Sequence, residues 1–269
     1  DGGAAVRSRL LLVVPALLVA AGCGSSSGSG SGSSNGGSSA PAGGKLVVFA
    51  ASSLIDAFPK IATTYQQQHP GWKVEFEFLG SDQLAAQIEQ GDPADVFAAA
   101  STKYPEQLQG EKLLGPTTNF ATNTLVLATP TDNPAGITSV NDIGNAKLVV
   151  GDPSVPIGAY TLTVLDNLGI KPSSLNIVSQ EAKVTDIVTK LELGEADAGF
   201  IYTSDVKTAG DKLTTFQLPA SAQATATYPI GIVTGSKNTK AAQQWIDLVM
   251  SPQGQQVLVS DGFGPAPSS

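Results

Sequence analysis

Four short stretches combine hydroxyl or backbone donors with the predicted start of a helix, and they are the residues best suited to chemistry. Each follows an apolar strand pattern, and they are Ser52 with Ser53, Gly80 with Ser81, residues 155–158 and residues 183–185. The first N–H groups of a helix have no partner inside it, and each helix start carries an effective charge of about +0.5. Four converging starts would bind a dianion without arginine. Taken singly, each hydroxyl is explained by ordinary N-capping, so this interpretation requires all four to face one cleft.

The composition excludes several other classes of protein. The chain has 269 residues with 15 Lys+Arg, 23 Asp+Glu and a formal net charge of −8, which argues against nucleic acid as a partner because neutralising phosphates requires clustered cations. Its single Cys and single His exclude a disulfide framework, a thiolate zinc site and a two-His metal site. Residues 204–207 match S-x-x-K, but no K-T-G or S-D-N motif accompanies them. We therefore expect no enzyme, no catalytic residue, no cofactor and no metal site.

Apolar patterns predict the elements that must position the four helix starts. Continuous or alternating apolar runs predict strands at residues 45–50, 74–78, 95–99, 147–151 and 198–202. Stripes with helical spacing, such as the one from Leu54 to Tyr65, predict helices between these strands, and Ser53 with Asp56 has the spacing of a capping box. The alternation of strands and helices with short links predicts doubly wound parallel sheets, whose ligands bind outside the carboxyl ends of the strands.

Two such α/β units predict an α/β fold with two lobes. Apolar strands at residues 124–128 and 230–234 flank the second unit, and too few residues follow them to form a domain of their own. We therefore predict that lobe 1 comprises residues 45–125 and 230–269 and that lobe 2 comprises residues 126–229. Two crossover strands would join the lobes and leave a cleft between them.

The first 44 residues predict export and attachment to a membrane. Arg7 and Arg9 precede an apolar run at residues 10–21, which is typical of a signal peptide and shorter than the roughly 20 residues that span a bilayer. Ala-Ala-Gly before Cys23 resembles a lipobox, and the Gly/Ser-rich residues that follow predict a flexible tether. The prediction is a signal peptide at 1–22 and a lipidated Cys23 with its tether at 23–44, which anchor the protein on the extracytoplasmic face of the cell membrane. A plain signal peptide with an incidental Cys23 is the alternative.

Six stretches between residues 45 and 265 together resemble one family. They are FAASSL (residues 49–54), LGSDQLAAQIEQGDPADVFAAA (79–100), NFATNTLVLAT (119–129), GDPSVPIGAY (151–160), GEADAGFIYTSD (194–205) and YPIGIV (228–233). In this order they resemble the periplasmic molybdate-binding proteins, the receptors of molybdate ABC importers. The resemblance implies a type II periplasmic-binding-protein fold, a tetrahedral oxyanion such as molybdate or tungstate as ligand, an ABC permease and its ATPase as partners, and a monomer.

The resemblance also implies which residues bind the oxyanion. The family's hydroxyl donors correspond to Ser53, Ser81 and Tyr202, and its backbone N–H donors correspond to Ile157 and Val184. These positions coincide with the helix starts and with the end of the strand at 198–202.

Two departures from the family pattern leave alternatives open. Ser52 adds a second hydroxyl beside Ser53, so the two serines could share the ligand. Asp82 follows Ser81 where the family usually has a neutral residue. It could accept a hydrogen bond from a protonated anion such as hydrogen phosphate, or be a solvent-facing carboxylate in the first helical turn. A receptor of the same fold for sulfate or phosphate, and a purely structural surface lipoprotein, are the rival functions.

Overall fold

The computed structural model describes residues 43–267, and these residues contain nine strands and eight α-helices. The strands are β1 (Gly44–Ala51), β2 (Trp72–Leu79), β3 (Val96–Ala98), β4 (Leu114–Pro130), β5 (Lys147–Gly151), β6 (Asn176–Glu181), β7 (Ala198–Tyr202), β8 (Leu213–Gln217) and β9 (Thr225–Val233). The helices are α1 (Ala57–Gln68), α2 (Ser81–Gln90), α3 (Lys103–Gly110), α4 (Pro156–Asn167), α5 (Val184–Glu192), α6 (Thr203–Ala209), α7 (Thr239–Met250) and α8 (Pro252–Ser260). The signal peptide, Cys23 and nearly all of the tether lie outside the described residues and stay predictions.

The strands form two sheets that share β4. In the first sheet β1 pairs in parallel with β2 and β3, and β9 pairs antiparallel with β3 and β4. In the second sheet β5 pairs in parallel with β6 and β7, while β4 pairs antiparallel with β7 and β8. We call the parts of the chain built on these sheets lobe 1 and lobe 2. This arrangement confirms the predicted α/β fold with two doubly wound lobes.

The chain crosses between the sheets at β4 and again just before β9. Residues of β4 up to Thr124 pair with β9, whereas Leu125 and the residues after it pair with β7 and β8. On the return, the Gln223 side chain bonds both the N–H and the carbonyl of Leu125, each at 3.0 Å, as a neighbouring strand would. The chain therefore passes from the first sheet to the second between residues 124 and 125, and it returns to the first sheet at Thr225. The predicted lobe boundaries were 125/126 and 229/230.

Buried stripes on the helices fix where each helix begins. One face of α2 buries Leu84, Ala85 and Ile88, and α4 and α5 each bury a comparable stripe in lobe 2. Burial of an apolar side chain stabilises the fold by about 1.5–3 kcal/mol, so several on one face hold a helix in one position. The first residues of α2, α4 and α5 are therefore held at the carboxyl ends of β2, β5 and β6.

The first predicted helix start is wrong. Residues Ser52–Leu54 form one turn of 3-10 helix, and α1 begins later, at Ala57. The predicted capping box of Ser53 and Asp56 does not form, because the Ser53 hydroxyl pairs with the Tyr228 hydroxyl and the Asp56 carboxylate accepts a hydrogen bond from Thr208. Both partners are more than 150 residues away along the chain, so contacts with distant residues determine this start.

Among residues 43–267, no helix is both long enough and apolar enough to cross a membrane.

Candidate functional site

A pocket with a cavity volume of about 20 Å³ lies between the two lobes. Six of the seven residues predicted as ligand-binding or possible ligand-binding residues line it, namely Ser52, Ser53, Ser81, Ile157, Val184 and Tyr202. Small and apolar residues complete the wall, among them Ala51, Leu79, Ala100, Val155 and Ala182. The structure thus brings together residues that are up to 150 positions apart in the sequence.

Three α-helices and one 3-10 turn begin at this pocket. The helices are α2 after its N-cap Gly80, α4 after Val155 and α5 after Lys183, and the turn begins at Ser52. The N–H groups in the first turn of each helix have no partner within the helix. Three α-helix starts supply an effective charge of about +1.5, which favours a bound anion without a neighbouring arginine.

The Ser81 hydroxyl is oriented as a donor to the pocket. Ser81 is 1% exposed, and its Oγ accepts a hydrogen bond of 3.1 Å from the Ala100 N–H. Because that N–H already occupies the acceptor side of the oxygen, the hydroxyl proton remains available for a ligand.

The Ser53 hydroxyl is oriented in the same way through a chain of side chains. Asn123 Nδ2 lies 2.9 Å from Ser204 Oγ and 3.4 Å from the Tyr228 hydroxyl, and it donates to both. Tyr228 can then donate its own proton across the 2.9 Å that separates its hydroxyl from Ser53 Oγ. This order leaves the Ser53 proton free to point into the pocket.

The Tyr202 hydroxyl is buried and has no hydrogen-bond partner among the described residues. The side chain is 1% exposed, and burial raises the pKa of its hydroxyl well above the usual value, so the hydroxyl stays protonated. The backbone N–H of Tyr202 donates to Asp205 Oδ2 at 2.8 Å, and its ring packs edge-on against Tyr228 with 6.3 Å between centroids. An unpartnered buried hydroxyl costs about 1–3 kcal/mol, so an acceptor in the pocket would relieve that cost.

Asp205 is a buried acid directly behind the pocket wall. Burial raises the pKa of its carboxyl to about 7, against the lowering effect of the Tyr202 N–H bond, and repulsion from Asp56 raises it further. Asp56 belongs to lobe 1 and Asp205 to lobe 2, so this repulsion acts between the lobes.

Lys183 is a charged lining residue that the prediction of neutral donors missed. It is the N-cap of α5, its side chain is 29% exposed, and its Nζ lies 3.7 Å from the carboxylate of Asp186. The sequence already placed Lys183 at a helix start, and that position was the signal that could have identified it.

Asp82 is the seventh predicted residue, and it is not among those that line the pocket. Its Oδ1 is buried and has no hydrogen-bond partner among residues 43–267. The structure therefore places this carboxylate beside the pocket, near the N-cap Gly80.

Among the hydrogen bonds that cross between the lobes, two lie on the flanks of the pocket. The Tyr104 hydroxyl of α3 donates to the carbonyl of Ser154 in lobe 2, and the Thr208 hydroxyl of α6 donates to the Asp56 carboxylate in lobe 1. These bonds hold the lobes together around the pocket.

The chemistry available in the pocket is binding through donors. Hydroxyls and helix-start N–H groups meet at a small space whose remaining wall is mostly apolar, and Lys183 adds a positive charge at its edge. Within the described part of the chain, no group of three or more His, Cys, Asp or Glu residues is placed to hold a metal ion. The set fits a small anion whose oxygen atoms accept hydrogen bonds on several sides.

Comparisons with known proteins agree with this geometry. Residues 46–264 match the model of a family described as bacterial extracellular solute-binding protein. The chain is 39% identical over 221 residues to the molybdate-binding protein ModA of Mycobacterium tuberculosis (strain H37Rv), which covers 81% of this chain and 84% of that protein. It is 26% identical over 260 residues to YvgL, a candidate ABC transporter substrate-binding lipoprotein of Bacillus subtilis (strain 168), which covers 95% of this chain and 97% of that protein. The solved structure of the periplasmic molybdate-binding protein of Azotobacter vinelandii has the same fold, with a TM-score of 0.73, 22% identity and coverage of 83% of this chain and all of that one.

Proposed function

The chain belongs to the bacterial extracellular solute-binding proteins and, among them, to the periplasmic molybdate-binding protein family; from this premise we propose that it captures molybdate in the pocket between its lobes. Tungstate, which has nearly the same size and the same charge, binds there with similar strength. The ligand is held by Ser53, Ser81 and Tyr202 through their hydroxyls and by Ile157 and Val184 through their backbone N–H groups. Ser52 is an additional hydroxyl donor.

The observation that supports this proposal best is the direction of the hydroxyl protons. Ser81 receives a hydrogen bond from the Ala100 N–H, the Asn123–Tyr228 chain leads to Ser53, and Tyr202 has no described partner. All three hydroxyls are therefore available as donors, and the helix starts can only donate. A ligand that accepts on every side, as an unprotonated tetrahedral dianion does, satisfies this set completely.

The same directions argue against phosphate. At neutral pH phosphate carries at least one proton, whereas molybdate, tungstate and sulfate carry none. A proton placed against donors leaves polar groups unpaired, at a cost of about 1–3 kcal/mol each. Sulfate has the right charge, but it is smaller, so its oxygens reach fewer donors at about 2.9 Å.

A phosphate receptor is the second candidate, because Asp82 supplies an acceptor close to the site. Its buried Oδ1 has no hydrogen-bond partner in the described residues. If the ligand reached past Ser81 towards the side of Gly80, this oxygen would accept a hydrogen bond from the O–H group of hydrogen phosphate.

Calorimetry separates the two candidates. We expect molybdate and tungstate to bind the wild-type protein with similar affinity, sulfate to bind weakly, and phosphate to show no measurable binding at micromolar protein. The matched variant is Asp82→Asn, which keeps the size of the side chain and removes its charge. Tight phosphate binding that disappears in Asp82→Asn would overturn the molybdate proposal and identify a phosphate receptor.

The wider role that we propose is delivery of the oxyanion to an importer. The protein acts as a monomer that passes its ligand to an ABC permease and its ATPase, without a cofactor and without a catalytic residue. A lipid on Cys23 holds it at the extracytoplasmic face of the membrane. The alignment with YvgL, whose name calls it a lipoprotein, covers 95% of this chain and supports the anchor.

A further inference from the structure

Gly80 lies at the pocket on the side of lobe 1 that faces lobe 2. It is the N-cap of α2 in lobe 1 and it lines the pocket. Its backbone has φ −62° and ψ 143°, which every L-residue adopts without strain. The backbone conformation therefore does not explain why this position is glycine.

The space around Gly80 does explain it. A Cβ added there would lie 2.6 Å from the carbonyl oxygen of Ala182 in lobe 2 and 2.5 Å from Oδ1 of Asp82 in its own helix. Real Cβ atoms essentially never come within 3.0 Å of another atom. The Asp82 carboxylate ends a side chain that can rotate away, whereas the Ala182 carbonyl belongs to the backbone between β6 and α5. That carbonyl can retreat only if the backbone at the start of α5 in lobe 2 shifts.

Ala182 is rigidly connected to the residues that complete the site. It follows β6, whose last residue, Glu181, accepts a hydrogen bond of 2.8 Å from the Asp152 N–H in the neighbouring loop. It directly precedes Lys183 and the first residue of α5, Val184, which both line the pocket. A side chain that displaces Ala182 from lobe 1 therefore also moves Lys183 and Val184 away from the ligand.

We propose that Gly80 is a positioning residue for ligand binding, because the absence of a Cβ lets the start of α5 close onto the pocket. This inference rests on the proposed function, since it assumes that the enclosed pocket is the state that binds the oxyanion. A side chain at position 80 keeps the lobes apart, although lobe 1 itself folds as before.

Two variants and a matched control test the proposal in calorimetry with molybdate. Gly80→Ala adds the Cβ, and Gly80→Ser adds it while supplying a preferred N-cap residue for α2. We expect both to bind at least about tenfold more weakly, which corresponds to the loss of one donor to a charged ligand, with faster dissociation. Gly110→Ala is the control, since nothing lies within 4 Å of a Cβ at the end of α3. If Gly80→Ser binds molybdate with wild-type affinity, then the weaker binding of Gly80→Ala results from poorer capping of α2. That result would overturn the inference.

The distance between the lobes provides a readout that a merely structural role would not change. Spin labels are attached at Glu106 in α3 and Ser173 in lobe 2, which are both exposed, in a Cys23→Ala background. With saturating molybdate we expect a short-distance population in the wild type and its loss in both Gly80 variants. Equal distance distributions in the wild type and the variants overturn the inference.

A double variant separates the clash between lobes from the clash within α2. Asp82→Ala removes the side chain that a new Cβ would meet in its own lobe. We expect Gly80→Ala to lower the affinity for molybdate by the same factor in both backgrounds, the wild type and Asp82→Ala. Recovery in the double variant would show that Asp82 caused the defect and would contradict the role of Ala182. If the wild type binds no oxyanion, the proposed function fails, and the comparison of label distances without ligand decides the inference.

Discussion

Tyr202 presents a buried hydroxyl that has no hydrogen-bond partner among the described residues, and this separates its role in binding from its role in folding. Its N–H and its ring are held by Asp205 and Tyr228, so the backbone and ring position do not depend on the hydroxyl. Ser53 differs, because its hydroxyl is also the partner of Tyr228. The same loss of one oxygen atom should therefore have different effects at the two positions.

We expect Tyr202→Phe to weaken molybdate binding roughly 10- to 150-fold, because a hydrogen bond to a charged group contributes about 1.5–3 kcal/mol. The thermal midpoint of the ligand-free protein should stay the same or rise, since an unpartnered buried hydroxyl is removed. Ser53→Ala and Ser81→Ala should weaken binding by a similar factor and also lower the midpoint, because each leaves a protein group without its partner. Calorimetry and thermal unfolding measure both quantities. Unchanged affinity in all three variants would place the anion elsewhere.

Asp205 makes the stability of the folded protein depend on pH. The pKa of its carboxyl is about 7 in the folded chain and close to the ordinary value of about 3.9 in the unfolded chain. Between these values the folded state holds a proton that the unfolded state has lost, so the free energy of unfolding falls as pH rises through this window and levels off above about 7. We expect Asp205→Asn, whose side-chain oxygen can still accept the Tyr202 N–H, to remove most of this slope in denaturation curves from pH 5 to 8.

The matched control for that prediction is Asp142→Asn. Hydrogen bonds from the Thr138 side chain and from the Thr138 and Ser139 N–H groups lower the pKa of the Asp142 carboxyl. The contribution of Asp142 to stability is therefore lost only as pH falls below its ordinary range, and this variant should keep the wild-type slope between pH 5 and 8. A wild-type slope in Asp205→Asn would show that the buried acid is not the source.

At the scale of elements, the sequence predicted the starts of α2, α4 and α5 because their signals are local. Gly80, Val155 and Lys183 each stand between an apolar strand and a buried helical stripe. The start of α1 could not be read in this way, because Ser53 and Asp56 bond to residues 175 and 152 positions away. For the same reason the chain of hydroxyl and amide groups that orients Ser53 has no sequence pattern.

Gly158 holds the start of α4 against β5. A Cβ there would lie 1.9 Å from the Asp152 carbonyl oxygen and 2.6 Å from that of Gly151, so α4 packs directly on the end of the strand. We expect Gly158→Ala to lower the free energy of unfolding by about 1–3 kcal/mol, as overpacking does. It should also weaken molybdate binding, because the Ile157 N–H shifts with the helix.

The control for Gly158 is Gly144→Ala, because nothing lies within 4 Å of a Cβ at position 144. Chemical denaturation and calorimetry of the two variants give the comparison. Wild-type stability and affinity in Gly158→Ala would mean that the helix start adjusts freely, contrary to the packing that the structure shows.

At the scale of the whole molecule, the lobes meet through a few contacts that surround the pocket. The Tyr104–Ser154 and Thr208–Asp56 hydrogen bonds flank it, and Gly80 faces Ala182 between them. The covalent connections lie at β4 and at the segment before β9, where Gln223 bonds the backbone of Leu125. The Thr203 hydroxyl also donates a hydrogen bond of 3.0 Å to the Gly262 carbonyl across the lobes. Opening breaks side-chain contacts of this kind while both sheets stay intact, which suits the proposed role of a receptor that releases its ligand.

The proposed delivery to an importer would require that the whole molecule stay near the membrane, and Cys23 is the residue that we expect to keep it there. The apolar run at residues 10–21 is shorter than the roughly 20 residues that span a bilayer, and no helix among residues 43–267 can cross one. We expect the wild-type protein in the membrane fraction, with a lipid on Cys23 that mass spectrometry of the N-terminal peptide detects. Cys23→Ala should appear in the medium or as an uncleaved precursor, whereas Ser25→Ala in the tether should fractionate as the wild type does. A soluble wild-type protein without lipid would show that Cys23 is incidental to a plain signal peptide.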